Sequence, residues 1–371
     1  MDTQLESFDV CLVGAGPIGI ELAVNLQAAG ASYVHLEAKQ LGHTISWFPR
    51  QARFFSSPER IAIAGVPLVT VDQAKASREE YLAYLQGVVQ QFALPIRTYE
   101  RVSEISKIRD PEGYQFHIST ARGAGPRNYR VKKVILAIGD MHHARQLRHP
   151  GMDVVPGSDL PHVSHYFDEP LPYFGQELLV VGGKNSAIEA ALRCYRAGAK
   201  VTLCHREPQI SSSIKYWLKP EIDWLVENGA IQHFPAHVPV EIAPDRVRLA
   251  PVDSENVPDL TPERQREIAA DFVLLLIGYV MDSQLFRSIG VELYGPGDTP
   301  RLDPATMQTN VPGFYVAGTA SAGTQLSYRL FIENCHAHVV RILRHLTGKD
   351  PSHINPLAYA RLHEHPIPEE S

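Results

Sequence analysis

The sequence predicts an α/β protein with two parallel sheets, because a pattern of strand, glycine-rich turn and helix occurs in it twice. The first copy starts with the apolar segment 8–13, and the second starts with the apolar segment 177–181. In both copies a further apolar strand follows the helix, at 33–36 and at 200–203. Strands that are apolar throughout and alternate with helices are typical of a parallel sheet covered on both faces. The predicted fold class is therefore α/β with two Rossmann-like domains.

Composition and charge exclude several classes of protein. The 371 residues are enough for two or three domains at roughly 150 residues each, and 44% of them are hydrophobic. A net charge of −6 provides no general attraction for nucleic acid or for an anionic membrane. The longest apolar run, residues 272–281, is too short to cross a bilayer, and the acidic segment 1–6 lacks the features of a secretory signal. We therefore expect no nucleic-acid partner and no membrane partner.

The four cysteines, Cys11, Cys194, Cys204 and Cys335, are far apart in the sequence. They form neither a C-x-x-C pair nor a spacing typical of zinc ligands, and the clustered histidines lack carboxylate or cysteine neighbours. This pattern predicts a reduced, cytoplasmic setting with no structural disulfide and no metal.

Further apolar strands that end in glycine indicate how the chain is divided. One spans residues 134–139, and the same design returns at 271–278 and at 313–318. A proline-rich stretch after the first domain is typical of a linker, and a long helix is expected over roughly 326–346. The prediction is a first domain of residues 1–150 and 281–371, a linker of residues 151–172, and an inserted domain of residues 173–280.

The first glycine motif, Gly14, Gly16 and Gly19, has the spacing of a dinucleotide-binding turn. The first glycine permits the tight turn, the second lets a pyrophosphate approach the backbone, and the third lets the helix pack on the strand. The helix N-terminus adds amide donors and the positive end of its dipole. Glu37, at the end of the next strand, is placed to bind ribose hydroxyl groups. A purely structural turn in another doubly wound fold is the alternative.

The second motif differs, because Lys184 follows Gly182 and Gly183 at the position of the middle glycine. Its ammonium group adds positive charge near a phosphate. The strand that comes next ends near His205 with no acidic residue, and Arg206 follows it. A basic residue there suits a 2′-phosphate, which favours NADPH over NADH. For Arg206 the alternative is a solvent-exposed arginine without a ligand, and His205 is expected to be a neighbour of the site.

Two dinucleotide sites in one chain fit an enzyme that uses FAD together with a nicotinamide donor. The leading hypothesis is an FAD enzyme that takes hydride from NADPH and passes electrons to an acceptor that the sequence does not identify. That acceptor is a disulfide reduced without the usual thiol, a quinone-like or other organic molecule, or dioxygen. With dioxygen the protein is a monooxygenase. The rival from another class is a non-catalytic flavin-binding redox sensor or scaffold.

Several longer segments resemble those of a known family. They are residues 54–59, 163–167, 182–187, 213–217, 277–279 and 331–334. Through them nearly the whole chain is similar to two-domain flavoproteins of the thioredoxin-reductase type, and within these to the bacillithiol-disulfide-reductase-like branch. The resemblance implies FAD in the first domain, NADPH in the second, a cytoplasmic setting and a homo-oligomer. It also implies a small-molecule or thiol-system acceptor.

Residue assignments follow from the motifs and from this resemblance. Aromatic side chains after the first strand–helix–strand unit are candidates to line the flavin, although such clusters more often belong to a core. The expected FAD-binding residues are Gly14, Gly16, Pro17, Ile18, Gly19, Glu37, Trp47, Phe54, Gly139, Gly318 and Thr319. The expected NADPH-binding residues are Gly182, Gly183, Lys184, Asn185, Ser186, His205, Arg206 and Lys215.

One departure from the branch concerns Ile18. The branch is associated with a redox cysteine at this position, and an aliphatic side chain cannot attack a disulfide sulfur. No cysteine pair occurs at the other usual places. No catalytic residue is therefore assigned. Cys335 is the one candidate thiol, because the segment before it passes near the flavin in this fold class, and a buried structural cysteine is the alternative.

Overall fold

The computed structural model describes residues 5–123 and 125–360 and has a mixed α/β fold. The chain divides into two compact units. The first unit contains residues 1–143 and 280–371, and the second contains residues 144–279. The predicted fold class is confirmed.

Regular secondary structure runs through both units. Helices α1 to α8 cover Pro17–Ala28, Pro58–Ile61, Arg78–Gln91, Asn185–Arg196, Lys219–Glu227, Gln284–Ile289, Ile332–Thr347 and Leu357–Ala360. Strands β1 to β19 cover Leu5–Val13, Tyr33–Leu36, Ile96–Arg97, Arg101–Lys107, Phe116–Ala121, Arg127–Leu136, His143–Ala144, Val163–Ser164, Glu177–Val181, Lys200–His205, Gln232–Pro235, His237–Ile242, Arg246–Pro251, Arg266–Ala269, Phe272–Leu275, Tyr279–Val280, Leu293–Tyr294, Thr299–Pro300 and Phe314–Val316.

A seven-stranded sheet forms the centre of the first unit, with the order β3-β2-β1-β6-β5-β4 and with β19 paired to the end of β6. Strands β3, β2, β1, β6 and β19 run parallel to one another, whereas β5 is antiparallel both to β4 and to the start of β6. The start of β6, which lies between β1 and β5, alternates between buried and partly exposed residues. Its end, Val134, Ile135 and Leu136, lies between β1 and β19 and is fully buried, as expected for a strand covered on both faces.

Helix α1 is buried over most of its length, from Ile18 to Leu26. It contacts β1 and β2 of the sheet as well as α3 and α7, so it has no broad solvent face. Two of its polar residues, Glu21 and Asn25, are therefore buried and require hydrogen-bond partners.

A buried ion pair supplies the partner of Glu21. Its Oε2 lies 2.6 Å from Nδ1 of His336 in α7, and its Oε1 accepts hydrogen bonds from the amides of Ala64 and Asn355. The other ring nitrogen of His336 lies 3.1 Å from the carbonyl oxygen of Arg60. Burial alone would lower the pKa of His336, but the charge and hydrogen bond of Glu21 outweigh burial and raise it. Glu21 therefore favours the imidazolium form of this ring, which joins α1 to α7.

The last long helix, α7, begins at Ile332, later than the sequence predicts. The side-chain oxygen of Gln325 accepts hydrogen bonds from the amides of Arg329 and Leu330, both at 2.9 Å. Its side-chain amide donates to the carbonyl group of Leu330 at 3.0 Å. These bonds hold the segment in a loop and satisfy backbone groups that a helix would otherwise pair, so the prediction of a helix from residue 326 is wrong.

The second unit has its own parallel sheet, with the strand order β11-β10-β9-β15-β8. Helices α4 and α5 belong to the same unit, and the buried residues of both join one hydrophobic core with β9, β10 and β15. A separate antiparallel sheet contains β12, β13 and β14.

The predicted linker, residues 151–172, is not a separate segment, and this expectation is corrected by the structure. The segment lies inside the second unit, where β8 pairs in parallel with β15. Val155 is 1% exposed and belongs to the same hydrophobic cluster as Leu147. Because β8 has only two residues, its sequence carries no periodic pattern that would distinguish it from a loop.

Candidate cofactor sites

The first glycine turn lies at the carboxyl edge of the parallel strands in the first unit. Val13 at the end of β1 pairs with Leu36 on one side and with Leu136 on the other. Val316 at the end of β19 also pairs with Leu136, so four strands end at one level. Ligands of open α/β sheets bind outside this edge. The loops that meet there begin at Gly14, Glu37, Ala137 and Ala317.

Close packing explains two of the three glycines of this turn. Gly14 has a φ of +103°, and a side chain on it would overlap the carbonyl group of Ala137. A side chain on Gly19 would overlap the carbonyl oxygen of Gly14. By contrast, no atom of the described residues lies within 4 Å of the place where Gly16 would carry a Cβ atom. The backbone at Gly16 therefore borders open space.

This space lies at the start of a helix. Helix α1 starts at Pro17, and its N-cap residue Gly16 supplies no capping side chain in the described structure. The amide donors of the first turn and the positive end of the helix dipole therefore face the open space. A side chain at Gly16 would extend into this space, where the sequence predicts the pyrophosphate of FAD.

Backbone amides hold Glu37 at the same turn. Its Oε2 accepts a hydrogen bond from the amide of Ala15 at 2.7 Å, and its Oε1 accepts one from the amide of Lys39 at 2.8 Å. Each carboxylate oxygen can accept a further hydrogen bond. The predicted contact of Glu37 with ribose is compatible with this geometry and stays a prediction.

Ile18 lies beside two other loops of the predicted FAD site. A Cβ atom on Gly318 would be 3.6 Å from Cβ of Ile18, and one on Gly139 would be 3.8 Å from Oγ1 of Thr319. Both glycines have positive φ, and Ile18 is only 5% exposed. The structure thus brings Ile18, Gly139, Gly318 and Thr319 to the edge that carries the glycine turn.

The two predicted aromatic residues have different surroundings. Phe54 packs on Tyr81 and Phe48, with ring centroids 4.6 and 5.7 Å away, and joins the main core of the first unit. Trp47 is half-buried in a short 3₁₀ turn, and its ring meets His43 edge-on at 5.2 Å. Contact of either ring with flavin stays a prediction.

All four thiols are buried and none forms a disulfide. Burial raises the pKa of each one, to about 12 for Cys194 and further for Cys11, Cys204 and Cys335. At Cys335 the charges of Asp140 and Glu21 add to the effect of burial. A fully buried thiol that stays protonated is a poor nucleophile, so the geometry favours a structural role for Cys335.

The second glycine turn has the same position in its own sheet. Val181 at the end of β9 pairs with Cys204 of β10 and with Leu275 of β15. Gly182 has a φ of +142°, and a side chain on it would come within 2.5 Å of the carbonyl oxygen of Leu276. Among the described residues, the side chain of the N-cap residue Lys184 makes no capping hydrogen bond to the following helix, α4. This turn therefore also presents a helix N-terminus at the carboxyl edge of a parallel sheet.

The predicted nucleotide-binding residues of the second unit lie around this helix start. Lys184 precedes the helix with extended backbone and is exposed, as is Ser186. The side-chain oxygen of Asn185 accepts a hydrogen bond from the amide of Lys215 at 2.9 Å, which draws that segment to the turn. Arg206 is exposed, with its guanidinium 3.4 Å from the carboxylate of Glu207.

Strand register identifies His205 as the counterpart of Glu37. The amide of Gly14 bonds to the carbonyl oxygen of the residue before Glu37 at 2.8 Å, and that of Gly182 bonds to the residue before His205 at 2.9 Å. At this position in the first unit, Glu37 accepts a hydrogen bond from a backbone amide. In the second unit, Nε2 of His205 lies 2.8 Å from Nε2 of His233. An imidazole thus replaces the carboxylate at this place.

Sequence reasoning missed two kinds of buried polar residue. His35 in β2 is fully buried, and its Nε2 lies 2.9 Å from the carbonyl oxygen of Gly14. Burial lowers its pKa to about 4, so the ring is neutral at the turn. A polar residue inside an apolar strand is the only signal that the sequence offers for it. The contact of His205 with His233 has no sequence signal, because it joins strands separated by a helix.

Neither a metal site nor a transmembrane helix is found in the described ranges. Within residues 5–123 and 125–360, no group of three or more His, Cys, Asp and Glu side chains is arranged to hold a metal ion. In the same ranges no helix has the length and apolar character needed to cross a membrane.

Both units of the chain are similar to known proteins. The profile of the pyridine nucleotide-disulphide oxidoreductase family matches residues 11–318. Bacilliredoxin reductase Bdr of Bacillus subtilis strain 168 is 34% identical over 328 residues, which is 88% of this chain and 94% of that protein. A ferredoxin–NADP reductase of Thermus thermophilus is 26% identical over 319 residues, covering 84% of each chain.

Solved structures give the same result. The bacillithiol disulfide reductase Bdr of Staphylococcus aureus has a TM-score of 0.81 and 29% identity, over 92% of this chain and 99% of that one. Thioredoxin reductase of T. acidophilum, with a TM-score of 0.64 and 21% identity over 92% of this chain and 98% of that one, shares the fold. The resemblance inferred from the sequence is confirmed. The chain belongs to the pyridine nucleotide-disulphide oxidoreductase family and is an NAD(P)H-dependent flavoprotein oxidoreductase that uses FAD.

Proposed function

We propose that this chain takes hydride from NADPH and passes electrons from FAD directly to an organic acceptor, without a thiol of its own. The observation that carries the proposal is the aliphatic Ile18 inside the first glycine motif. A second observation is that all four cysteines are buried, because burial keeps a thiol protonated. Low-molecular-weight disulfides, including the bacillithiol type, are therefore expected to be poor acceptors.

The first unit is proposed to bind FAD. The open space at Gly16 and the uncapped start of α1 support this assignment, as does the meeting of the loops at Gly139 and Gly318. When bound, FAD accepts a hydride and gives up electrons singly or in pairs. The residues of this chain bind the pyrophosphate at the turn and hold Glu37 in position for ribose.

The second unit is proposed to bind NADPH in preference to NADH. Its glycine turn has no carboxylate at the place of Glu37, and a carboxylate there would repel a 2′-phosphate. Arg206 is exposed directly after β10 and is expected to form a charge-assisted hydrogen bond with that phosphate. The ammonium group of Lys184 adds positive charge at the start of α4.

The test is reduction of the purified protein by NADPH without oxygen, followed by a panel of acceptors. We expect NADPH to bleach the flavin and a quinone to restore its absorbance. A bacillithiol-type disulfide should restore it at least about tenfold more slowly. Dioxygen and a ferredoxin serve as the remaining acceptors. Failure of NADPH to reduce the flavin would contradict the proposed enzyme and favour a sensor or scaffold.

Substitutions at Ile18 and Cys335 show which residue, if any, carries out disulfide reduction. Ile18→Cys restores a thiol at a helix N-terminus, where the dipole stabilises thiolate, and should increase disulfide turnover. Ile18→Val is the matched control and should not. Rapid disulfide reduction by the unaltered protein would overturn the proposed acceptor class, and its loss in Cys335→Ser would assign it to that thiol.

A further inference from the structure

Two histidines meet at the end of the parallel strands in the second unit. His205 is the last residue of β10, and His233 lies in the neighbouring strand β11. Their Nε2 atoms are 2.8 Å apart, which is a hydrogen-bond distance. His205 is 3% exposed and His233 is half-buried, so the pair is largely removed from water.

The ring of His205 lies directly against the glycine turn. A Cβ atom on Gly183 would be 3.2 Å from both Cβ and Cγ of His205 and 3.5 Å from its Nδ1. That Nδ1 is buried and has no hydrogen bond of good geometry within the described part of the chain, although the backbone of Glu207 lies close enough to raise the pKa of His205. A buried polar atom without a partner costs free energy unless a ligand or a proton satisfies it.

The contact between two Nε2 atoms determines how many protons the pair can hold. One ring must donate and the other must accept, so the neutral pair carries a single Nε2 proton. With His205 as the donor, its Nδ1 has a free lone pair beside Gly183. A proton added to that Nδ1 converts His205 to imidazolium and leaves the hydrogen bond to His233 intact.

Burial keeps this pair neutral when no anion is nearby. It lowers the pKa of His233 to about 4, with a further contribution from His205 and an opposing one from Asp223. Burial also lowers the pKa of His205, and the backbone of Glu207 and then the charge of its carboxylate oppose the shift. At pH 7 both rings are therefore uncharged.

The charged groups that face the pair already have partners of opposite charge. Glu207, which follows β10, lies 3.4 Å from Arg206. Asp223 of α5 lies 2.6 Å from Lys219. A bound phosphate would bring a negative charge that these ion pairs do not neutralise, and a nearby negative charge favours an imidazolium.

We propose that the His205–His233 pair selects NADPH by taking up one proton from water as the 2′-phosphate binds. The inference rests on the proposed function, because it requires NADPH in the second unit. The proton goes to Nδ1 of His205, and no covalent bond between heavy atoms changes. NADH lacks the 2′-phosphate and should cause no such uptake.

The pH dependence of this selection has a characteristic sign. Affinity that depends on proton uptake weakens as pH rises through the pKa of the bound pair. A phosphate monoester has a second pKa of about 6, so its own ionisation makes binding to arginine stronger as pH rises. The two effects have opposite signs and can be separated by experiment.

Calorimetric titration of the FAD-loaded protein with NADP⁺, and separately with NAD⁺, tests the proposal. The binding enthalpy in two buffers of different ionisation enthalpy gives the number of protons exchanged. We expect net uptake with NADP⁺ and none with NAD⁺. Between pH 6.5 and 8.5 the Kd of NADP⁺ relative to NAD⁺ should rise by up to about tenfold per pH unit, the limit for one linked proton.

Variants separate the pair from its neighbours. His205→Gln and His233→Gln should abolish the uptake, whereas His237→Gln, which removes another partly buried histidine of the unit, should retain it. Arg206→Ala should weaken NADP⁺ binding and keep the uptake. If the glutamine variants do not fold, the proton number of the unaltered protein decides.

Two different failures are distinguishable. Equal proton numbers for both nucleotides, or proton release with NADP⁺, would overturn the role of the histidine pair and leave the proposed function standing. No binding of NADP⁺ to the folded protein would contradict the proposed NADPH site itself, and the inference with it.

Discussion

The two glycine turns share a backbone design and differ in the side chains that surround it. Gly14 and Gly182 both have positive φ. A side chain on either would collide with the backbone just after a neighbouring parallel strand, at Ala137 and at Leu276 respectively. At the end of the neighbouring strand the first unit has Glu37, bound to a backbone amide, and the second has His205, bound to His233. Strand geometry thus gives both turns the same backbone, and the side chain at the end of the neighbouring strand is acidic at one turn and an imidazole at the other.

The helices that follow the turns differ in the same way. Glu21 of α1 and Glu189 of α4 occupy the same position, seven residues after the first glycine. Glu21 is fully buried against His336, whereas Glu189 is partly exposed and lies 3.9 Å from Arg193. Equivalent acids are therefore fully buried in one unit and partly exposed in the other.

The largest expected effect is on stability, and it tests this difference in burial between Glu21 and Glu189. Glu21→Gln removes one partner of a buried ion pair and should lower the free energy of unfolding of the first unit by roughly 3–5 kcal/mol. Glu189→Gln removes a partly exposed partner and should cost less than about 1 kcal/mol. Urea unfolding of both variants measures the difference. Equal losses would show that the fully buried pair contributes no more than the partly exposed pair.

The second prediction concerns the space at the first turn. Gly16→Val places a side chain where the pyrophosphate is proposed to bind and should reduce FAD affinity by about a hundredfold or more, since a close backbone approach is lost. Lys184→Val, at the same position of the second turn, should leave the flavin content unchanged. Absorbance of the purified variants at the flavin bands gives the ratio of flavin to protein. Full flavin content in Gly16→Val would refute the assignment.

Charge at the second turn is expected to have a smaller effect. Arg206→Ala removes one charge-assisted hydrogen bond, worth roughly 1.5–3 kcal/mol, so the Kd for NADPH should rise about tenfold to a hundredfold. The Kd for NADH should hardly change. Arg248→Ala, which removes another exposed arginine of the unit, is the control. Equal use of both donors by the unaltered protein would contradict the predicted preference.

The smallest expected effect is the pH dependence of the buried pair. Glu21 raises the pKa of His336 above its ordinary value of 6.5, against the effect of burial. The stabilisation is therefore complete below about pH 6.5 and is lost as pH rises through the higher pKa of the folded state, by at most about 1.4 kcal/mol per pH unit. Urea midpoints at pH 6 to 9 should fall in the unaltered protein. Glu21→Gln should show a much weaker slope, and identical slopes would contradict this explanation.

Local patterns in the sequence were sufficient for the fold class and both glycine turns. Apolar strands, positive-φ glycines and helix starts depend on residues within a few positions of one another, so they leave a readable pattern. For this reason Gly14, Gly19 and Gly182 were predicted at places where a side chain would collide with backbone. The family resemblance extended the predicted fold class to nearly the whole chain.

The tertiary structure decided what depends on residues far apart in the chain. A hydrogen bond to Asp140, 185 positions away in the chain, holds Gln325, whose loop bonds delay the start of α7. A two-residue strand places the expected linker inside the second unit. Packing against the sheet buries Cys335, and the register of β10 with β11 brings His205 to His233. Burial and strand register depend on how all the elements pack together. Burial shifts the pKa of a thiol or an imidazole, and register decides which polar groups lie next to it.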